Sequence, residues 1–332
     1  TMVSAEFLNK LGNLKDVLLV ADEVHCLGSE QAKSILNFGF SHRLGLSATP
    51  ERYGDHDGTQ AIFDYFGPIL EPIISIKDAI DEGRLVNYIY EPIHVQLNEE
   101  EVENWERLTK KIIQLGYSRS DQASPAQRDQ IKLLFIRRSR IAKKAAIKVP
   151  VATSTILKHF KEDETWLVYC EDTEQLNQVN EILRDNGKSP YIYKSNMEGS
   201  KESELSEYIK RGGIMLSIKC LDEGIDIPRI SHAVIMASSQ NPRQFIQRRG
   251  RVLRVDGVKE KAVIYDLFAT PPETCSNIPD SLIKSELSRA LEFSESALNK
   301  TSATSQIRRV LINLNIDLDD FLSPDDNIYT FE

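Results

Sequence analysis

Leu18-Leu19-Val20-Ala21-Asp22-Glu23-Val24-His25 is a short aliphatic run that ends in two acids and, two residues on, a histidine. Such a run reads as a strand buried on both faces and stopped by its carboxylates. Strands of that kind belong to parallel sheets, which gather ligands at the carboxyl ends of their strands. The two acids therefore stand where an α/β protein does its chemistry. One carboxylate there can hold Mg²⁺ through water, because the ion keeps much of its hydration. Its neighbour can then orient and deprotonate an attacking water. Taken alone the signal is weak, since an acid pair also simply punctuates a strand end.

Working outward, Arg43 to Leu46 reads as a second strand leading into Ser47-Ala48-Thr49-Pro50, a turn whose hydroxyls can cap the next segment. Ser75 opens a short helix with an acid three residues on, and Gly83 closes it. Val86 to Leu97, rich in β-branched and aromatic residues, reads as extended. Asn98 then starts a long helix with Val102, Trp105, Leu108, Ile112 and Leu115 at three- and four-residue spacing. Gly116 to Pro125 interrupts it, a second and basic helix runs to about Ile147, and Val149-Pro150 reads as a boundary. From Trp166 to Phe268 strands and helices alternate, which predicts right-handed crossovers and a parallel sheet. Past Pro271-Pro272 the chain is helical and then acidic.

Two further segments complete the pattern. Leu221-Asp222-Glu223-Gly224-Ile225-Asp226-Ile227-Pro228 follows the strand at 214–218. Gln247-Arg248-Arg249-Gly250-Arg251-Val252-Leu253-Arg254 puts four arginines around one glycine, delivered by a helix predicted from Pro242. A guanidinium is always charged and forks onto phosphate oxygens.

In this order and at this spacing the four segments resemble motifs II, III, V and VI of superfamily 2 helicases of the DEAD/DEAH type, over roughly Leu18 to Arg254. The resemblance implies ATP and Mg²⁺ as cofactors. It gives Asp22 the metal, through water, and Glu23 the activation of water. His25, Ser47 and Thr49 would couple hydrolysis to closure of two lobes, Gly224 would let backbone approach the nucleotide, and Asp226 would meet the ribose or the fingers. Gln247 would be the polar contact to the partner lobe, and Arg251 and Arg254 the arginine fingers, which are worth about 10³–10⁵ in rate in other triphosphatases. Ile218 departs from the family pattern by standing where many relatives carry threonine, so Ser217 or Lys219 takes the expected nucleic-acid contact. Glu51-Arg52, Asp57-Gly58 and the stretch from Lys77 to Tyr90 resemble the branch containing XPB and the restriction-enzyme translocases.

The expected architecture is α/β, two RecA-like parallel-sheet lobes, the first incomplete, with a helical insertion and a helical C-terminal tail. Residues 1–97 would be the later part of lobe one and 98–148 a basic helical insertion. Residues 149–272 would form lobe two, and 273–332 a helical tail with an acidic end. A phosphate-cradling G-x-x-x-x-G-K-[ST] loop is missing from the sequence; Gly187-Lys188-Ser189 has Ile182 in place of the first glycine. The expectation is a helicase truncated before that loop, showing negligible ATP turnover by itself.

At 332 residues, 41% hydrophobic and 27% charged, the composition is that of an ordinary globular protein with room for two cores. No apolar run approaches the roughly 18 residues of a membrane span, so no membrane partner is expected and an intracellular location is. Cys26, Cys170, Cys220 and Cys275 lie far apart without metal-ligand spacing and read as reduced core thiols. A net charge of −9 excludes a simple basic nucleic-acid module. Gln130 to Phe160 nevertheless holds no acid, and its Arg137, Arg138, Arg140, Lys143 and Lys144 form a candidate strip for a phosphate backbone or, equally, a solvated helix face. DNA is expected over RNA on the branch resemblance, and the acidic tail is a candidate protein contact. Two rivals are kept: a duplex translocase of a restriction, defence or remodelling system, and a degenerate helicase scaffold without catalysis.

Overall fold

The computed structural model describes residues 8, 10, 14–29, 32–52, 55–115, 124–194, 201–218, 230–237, 252–257, 259–273 and 280–316. They divide into two compact units, with Ile74 closing the first and Ser75 opening the second.

In the first unit, β1 (Leu18–Ala21) pairs in parallel with β2 (His42–Gly45), Leu18 opposite His42 and Ala21 opposite Gly45. The link between them is wound into two 3₁₀ turns, Val24–Gly28 and Lys33–Asn37. Helix α1 (His56–Phe66) comes next, its N-terminus capped by the Asp55 carboxylate, which accepts from the Gly58 amide. Tyr65 fastens α1 to the 3₁₀ region by donating its hydroxyl to the Phe38 carbonyl at 2.6 Å.

The second unit opens with α2 (Ile76–Asp81), started by a reciprocal capping box between Ser75 and Asp78. It contains a six-stranded parallel sheet. The strands are β3 (Asn87–Gln96), β4 (Thr165–Cys170), β5 (Tyr191–Tyr193), β6 (Gly213–Ile218), β7 (His232–Ile235) and β8 (Lys261–Thr270), in the order β3-β8-β7-β4-β6-β5. The helices are α3 (Glu99–Gln114), α4 (Pro125–Lys143), α5 (Lys148–His159), α6 (Thr173–Asp185), α7 (Lys201–Arg211), α8 (Asp280–Glu295) and α9 (Lys300–Asn313). The central strand β4, Thr-Trp-Leu-Val-Tyr-Cys, is buried at every position, as a strand covered on both faces must be. Its core includes Trp166, Val168, Leu176, Leu216, Val234 and Leu267. At the turn into β6, Gly212 and Gly213 take φ of 72° and 104°, conformations that an L side chain rarely adopts.

Parallel sheet, helical hairpin and C-terminal helices are as the sequence predicts, and four expectations change. The strand at Leu18–Ala21, read as buried on both faces, is open on one: Leu18 and Val20 are 56% and 51% exposed, β1 and β2 forming a sheet of two strands among the described residues. The strand read at Val86 to Leu97 is there, but it is the edge strand of the second sheet, with Asn87 opposite Lys261 and Gln96 opposite Thr270. The units therefore divide after Ile74 rather than after Leu97. Val149-Pro150 is no boundary: both lie in the first turn of α5, where proline costs no helical hydrogen bond, and Val149 packs in the core. The segment after Pro272 is more than a tail, because α8 lies on β8 through buried charges. Arg289, Glu286, Asp266 and Lys148 are 4%, 4%, 0% and 1% exposed. Arg289 donates to Glu286 at 2.8 Å and to Asp266 at 3.3 Å, and Lys148 donates to the Met236 carbonyl at 2.9 Å. The acidic end past residue 316 lies outside the described residues.

Candidate functional site

The acids predicted to carry chemistry sit immediately after β1, at the carboxyl end of a parallel strand. Asp22 is exposed, and one of its oxygens accepts from the Glu23 amide at 2.9 Å. Glu23 takes φ 50° and ψ 48°, the left-handed conformation, before the chain winds into the Val24–Gly28 turn. In that turn His25 is buried, at 2% exposed. The ring nitrogen His25 Nδ1 lies 3.0 Å from Ser47 Oγ and 3.4 Å from the Glu23 carboxylate. Ser47 Oγ also accepts from the Thr49 amide at 3.2 Å. Backbone bonds hold the two loops together: Val24 donates to Leu46 at 2.9 Å, and Leu46 to Ala21 at 2.8 Å. The structure thus brings Glu23, His25, Ser47 and Thr49 into one cluster beside Asp22.

Arg52 fixes this cluster from behind. Its guanidinium donates to the His25 carbonyl, and its Nε donates to Asp55 at 2.7 Å. Its own amide donates to Thr59 Oγ1 at 2.8 Å. The side chain threads between two glycines. A Cβ on Gly28 would stand 2.5 Å from Arg52 Cδ and 2.6 Å from the Gly58 carbonyl oxygen; one on Gly58 would stand 2.7 Å from Arg52 Nε. Burial pushes the Asp55 carboxyl up, but the Arg52 guanidinium and the Gly58 amide outweigh it and hold the group below the usual carboxylate range. Arg52 is visible in the sequence; its partners His25, Asp55 and Gly28 are not, because no spacing rule links them.

Of the second unit's predicted residues, Arg254 is described. Its backbone pairs antiparallel with Leu85, and Val86 donates to the Leu253 carbonyl at 2.8 Å. Lys219, Gly224, Asp226, Gln247 and Arg251 lie outside the described residues. Ser217 is fully buried and its hydroxyl finds no partner among the described residues, so here it offers no surface to a strand.

The basic strip on α4 divides by face. Arg138 is 6% exposed, with its guanidinium 5.0 Å from the Trp105 ring and 4.9 Å from the Phe135 ring, and donates to Thr109 at 3.2 Å. Lys143 is equally buried, at 6%. Arg140 pairs with Glu171 at 3.2 Å, and Lys144 with Asp172 and Glu174 at 2.7 and 2.6 Å. Arg137 is exposed beside Lys111 on an open groove floored by Leu133 and Leu134. The reading of a continuous phosphate-binding strip is therefore corrected: Arg138 and Lys143 face inward, Arg140 and Lys144 fasten the helix to the loop after β4, and Arg137 faces solvent. The charges were legible in sequence, but which face carried them was not.

No group of side chains with metal-ligand clustering occurs among the described residues, and no described helix is long and apolar enough to cross a membrane. Cys170 is a buried thiol as read, whereas Cys26, read as a core thiol, is exposed.

The second unit, a six-stranded parallel sheet with helices, is of the RecA-like α/β class. Residues 148–256 match the helicase conserved C-terminal domain. The "DNA 3'-5' translocase XPB2" of Sulfurisphaera tokodaii is 27% identical over 264 residues, which cover 74% of this chain and 57% of that protein. Among solved structures, the "ATP-dependent Type ISP restriction-modification enzyme LlaBIII bound to DNA" superposes with a TM-score of 0.50 at 14% identity, covering 93% of this chain and 21% of that one, which shows a shared fold. The chain thus spans somewhat over half the length of the XPB2 relative. By sequence the chain is similar to superfamily 2 helicases.

Proposed function

We propose that this chain is the Asp-Glu-x-His and arginine-bearing part of an ATP-driven translocase or helicase acting on DNA. The observation that carries the reading is the cluster after β1. Glu23 and the buried His25 are joined through one ring nitrogen to Ser47, from the loop after the neighbouring strand. The match of residues 148–256 and the DNA-translocase relative support it. The exposed carboxylate of Asp22, at a strand's carboxyl end, suits a hydrated Mg²⁺, which when bound would neutralise phosphate charge.

In this reading Asp22 holds the hydrated ion, and Glu23 orients a water and takes its proton. His25 reports the state of Glu23 to Ser47 and thence to the Thr49 amide. Gly224 and Asp226 meet the nucleotide, Gln247 makes the polar contact to the partner lobe, and Arg251 and Arg254 place positive charge where it develops on the transferred phosphoryl group. Arg137 and Lys219 are the basic candidates for the strand's phosphates.

The sequence has no G-x-x-x-x-G-K-[ST] string of the kind that cradles a triphosphate. These 332 residues alone should therefore turn over ATP negligibly. The test is ATP hydrolysis by the product of the complete gene, with and without DNA and RNA. DNA-stimulated turnover abolished by Glu23→Gln supports the proposal. Turnover indifferent to nucleic acid, or unaffected by that change, overturns it. Displacement of a triplex-forming strand but not of a duplex strand would assign translocation rather than unwinding.

A further inference from the structure

We infer that Lys259 is a positioning residue for the arginine segment, tying it to the chain just past the glycine segment through two backbone carbonyls. The inference deepens the motor reading above and rests on it for its kinetic consequence.

Lys259 precedes β8. Its ammonium donates to the Ile230 carbonyl at 3.1 Å and to the Val252 carbonyl at 3.0 Å. Ile230 follows the stretch that carries Gly224 and Asp226; Val252 directly follows Arg251. One side chain therefore links Ile230, two residues past the glycine segment, to Val252, within the arginine segment and next to Arg251. Its own backbone is fixed as well, the Lys259 amide donating to Asp256 at 2.6 Å.

The neighbourhood explains why the grip is stiff. Val252 and Leu253 are 1% and 0% exposed. The Leu253 carbonyl accepts from Val86, and Arg254 pairs with Leu85. Three successive residues, 252 to 254, are thus held, and the bond from Lys259 is the one that also reaches Ile230. A lysine serving only to cover surface would lay its stem on the protein and keep its ammonium in water. Here the ammonium is turned inward onto two carbonyls, and burial, partly offset by Asp256, lowers its pKa to about 8. Lysine suits the task because its compact head offers three donors, enough for two carbonyls at once.

The consequence is kinetic. Arg251 must reach the phosphoryl group in its transition state, and small misplacements of such groups act on the rate rather than on ground-state binding.

The experiment compares wild type with Lys259→Met and Lys259→Arg in two ways. Hydrogen exchange is followed in peptides covering Ile230 and Val252. DNA-stimulated ATP turnover is followed in the product of the complete gene. For K259M, exchange should speed by about tenfold or more at both places together, while Thr165–Cys170 stays unchanged. The kcat should fall by about ten- to a hundredfold, the factor for losing the one charge-assisted hydrogen bond that bears on Arg251, that to Val252, with the KM for ATP within about twofold. K259R, which keeps charge and donors, should recover most of both. Should K259M fail to fold, Lys259→Gln takes its place. Exchange that rises at one site or neither, or a loss that falls on KM, overturns the inference. If wild type shows no turnover at all, the motor reading fails while the exchange measurement still judges the tether.

Discussion

Glu23 is an L-residue at φ 50°, a conformation that costs about 1–2 kcal/mol outside glycine. It persists because the Val24 and Leu46 bonds fix the chain on either side of the turn, as strained residues at functional sites usually are fixed. Two substitutions should separate strain from chemistry. Glu23→Gly, free to adopt the conformation but looser when unfolded, should leave stability unchanged or raise it by up to about 1 kcal/mol. Glu23→Val, whose β-branched side chain resists the left-handed region, should lower it by more than about 1 kcal/mol. Both should abolish turnover by the product of the complete gene, so urea midpoints beside its ATPase rates give the check. Gly28 makes a second residue-level case. Its missing Cβ leaves the channel through which Arg52 reaches the His25 carbonyl, and one of the atoms a methyl would strike belongs to the Gly58 backbone. Gly28→Ala should cost about 1–3 kcal/mol, as overpacking does, measured by urea unfolding of the first unit. The acids of this site were plain in the sequence because they end an aliphatic strand. The Arg52 channel was not, because a glycine that makes room for a distant side chain looks like any other glycine.

At the scale of elements, the helical hairpin α3–α4 shows what periodicity can and cannot reveal. Val102, Trp105, Leu108 and Ile112 recur at helical spacing and are all buried, so the inner face of α3 could be read directly. On α4 the inner face mixes Ile131, Leu134 and Phe135 with Arg138, whose guanidinium lies against Trp105 and Phe135. A cation stacked on aromatic rings is part of the core but counts as surface in any charge tally. Arg137 and Arg138, adjacent in sequence, should therefore behave oppositely. Arg138→Gln should cost about 1–3 kcal/mol by losing its ring contacts and its bond to Thr109, and leave the salt dependence of DNA binding unchanged. Arg137→Ala should leave stability within about 0.5 kcal/mol and, if that residue meets a phosphate, lower the salt slope by about one. Thermal melts and binding titrations across salt concentrations decide both. The edge strand β3 makes a related point: ten residues read correctly as extended said nothing about which sheet they joined, because the partner β8 lies far along the chain.

At the scale of the whole molecule, the second unit is closed by buried charges rather than by apolar surface alone. Asp266 on β8, Glu286 and Arg289 on α8, and Lys148 at the start of α5 are joined, with the Tyr90 hydroxyl donating to Asp266 at 2.9 Å. Burial pushes the Glu286 carboxyl up, but Arg289 and Lys148 overcome this and hold it below the ordinary carboxylate value. Its folded value being depressed, the stability it contributes is present above about pH 4.5 and is lost as pH falls through the lower folded value. Lys148 acts in the opposite range. Burial, incompletely offset by Glu286, lowers its pKa from 10.5 to about 8. Between those values the unfolded chain binds a proton that the folded chain has released. Stability therefore rises with pH through that window, and the cost of the buried ammonium is fully present below about 8. The rise should be up to about 1.4 kcal/mol per pH unit for each such lysine. Lys259, lowered likewise, contributes a second. Above about pH 10 the buried phenols Tyr90 and Tyr208, pushed well up by burial, keep protons that the unfolded chain loses, and stability falls again. Urea unfolding at successive pH values from about 7 to 11 should trace a maximum near 10, and Lys148→Met should remove about half of the rising limb. A Lys148→Met variant with the same slope as wild type would mean that this ammonium stays charged across the range, held by Glu286 more firmly than burial opposes it.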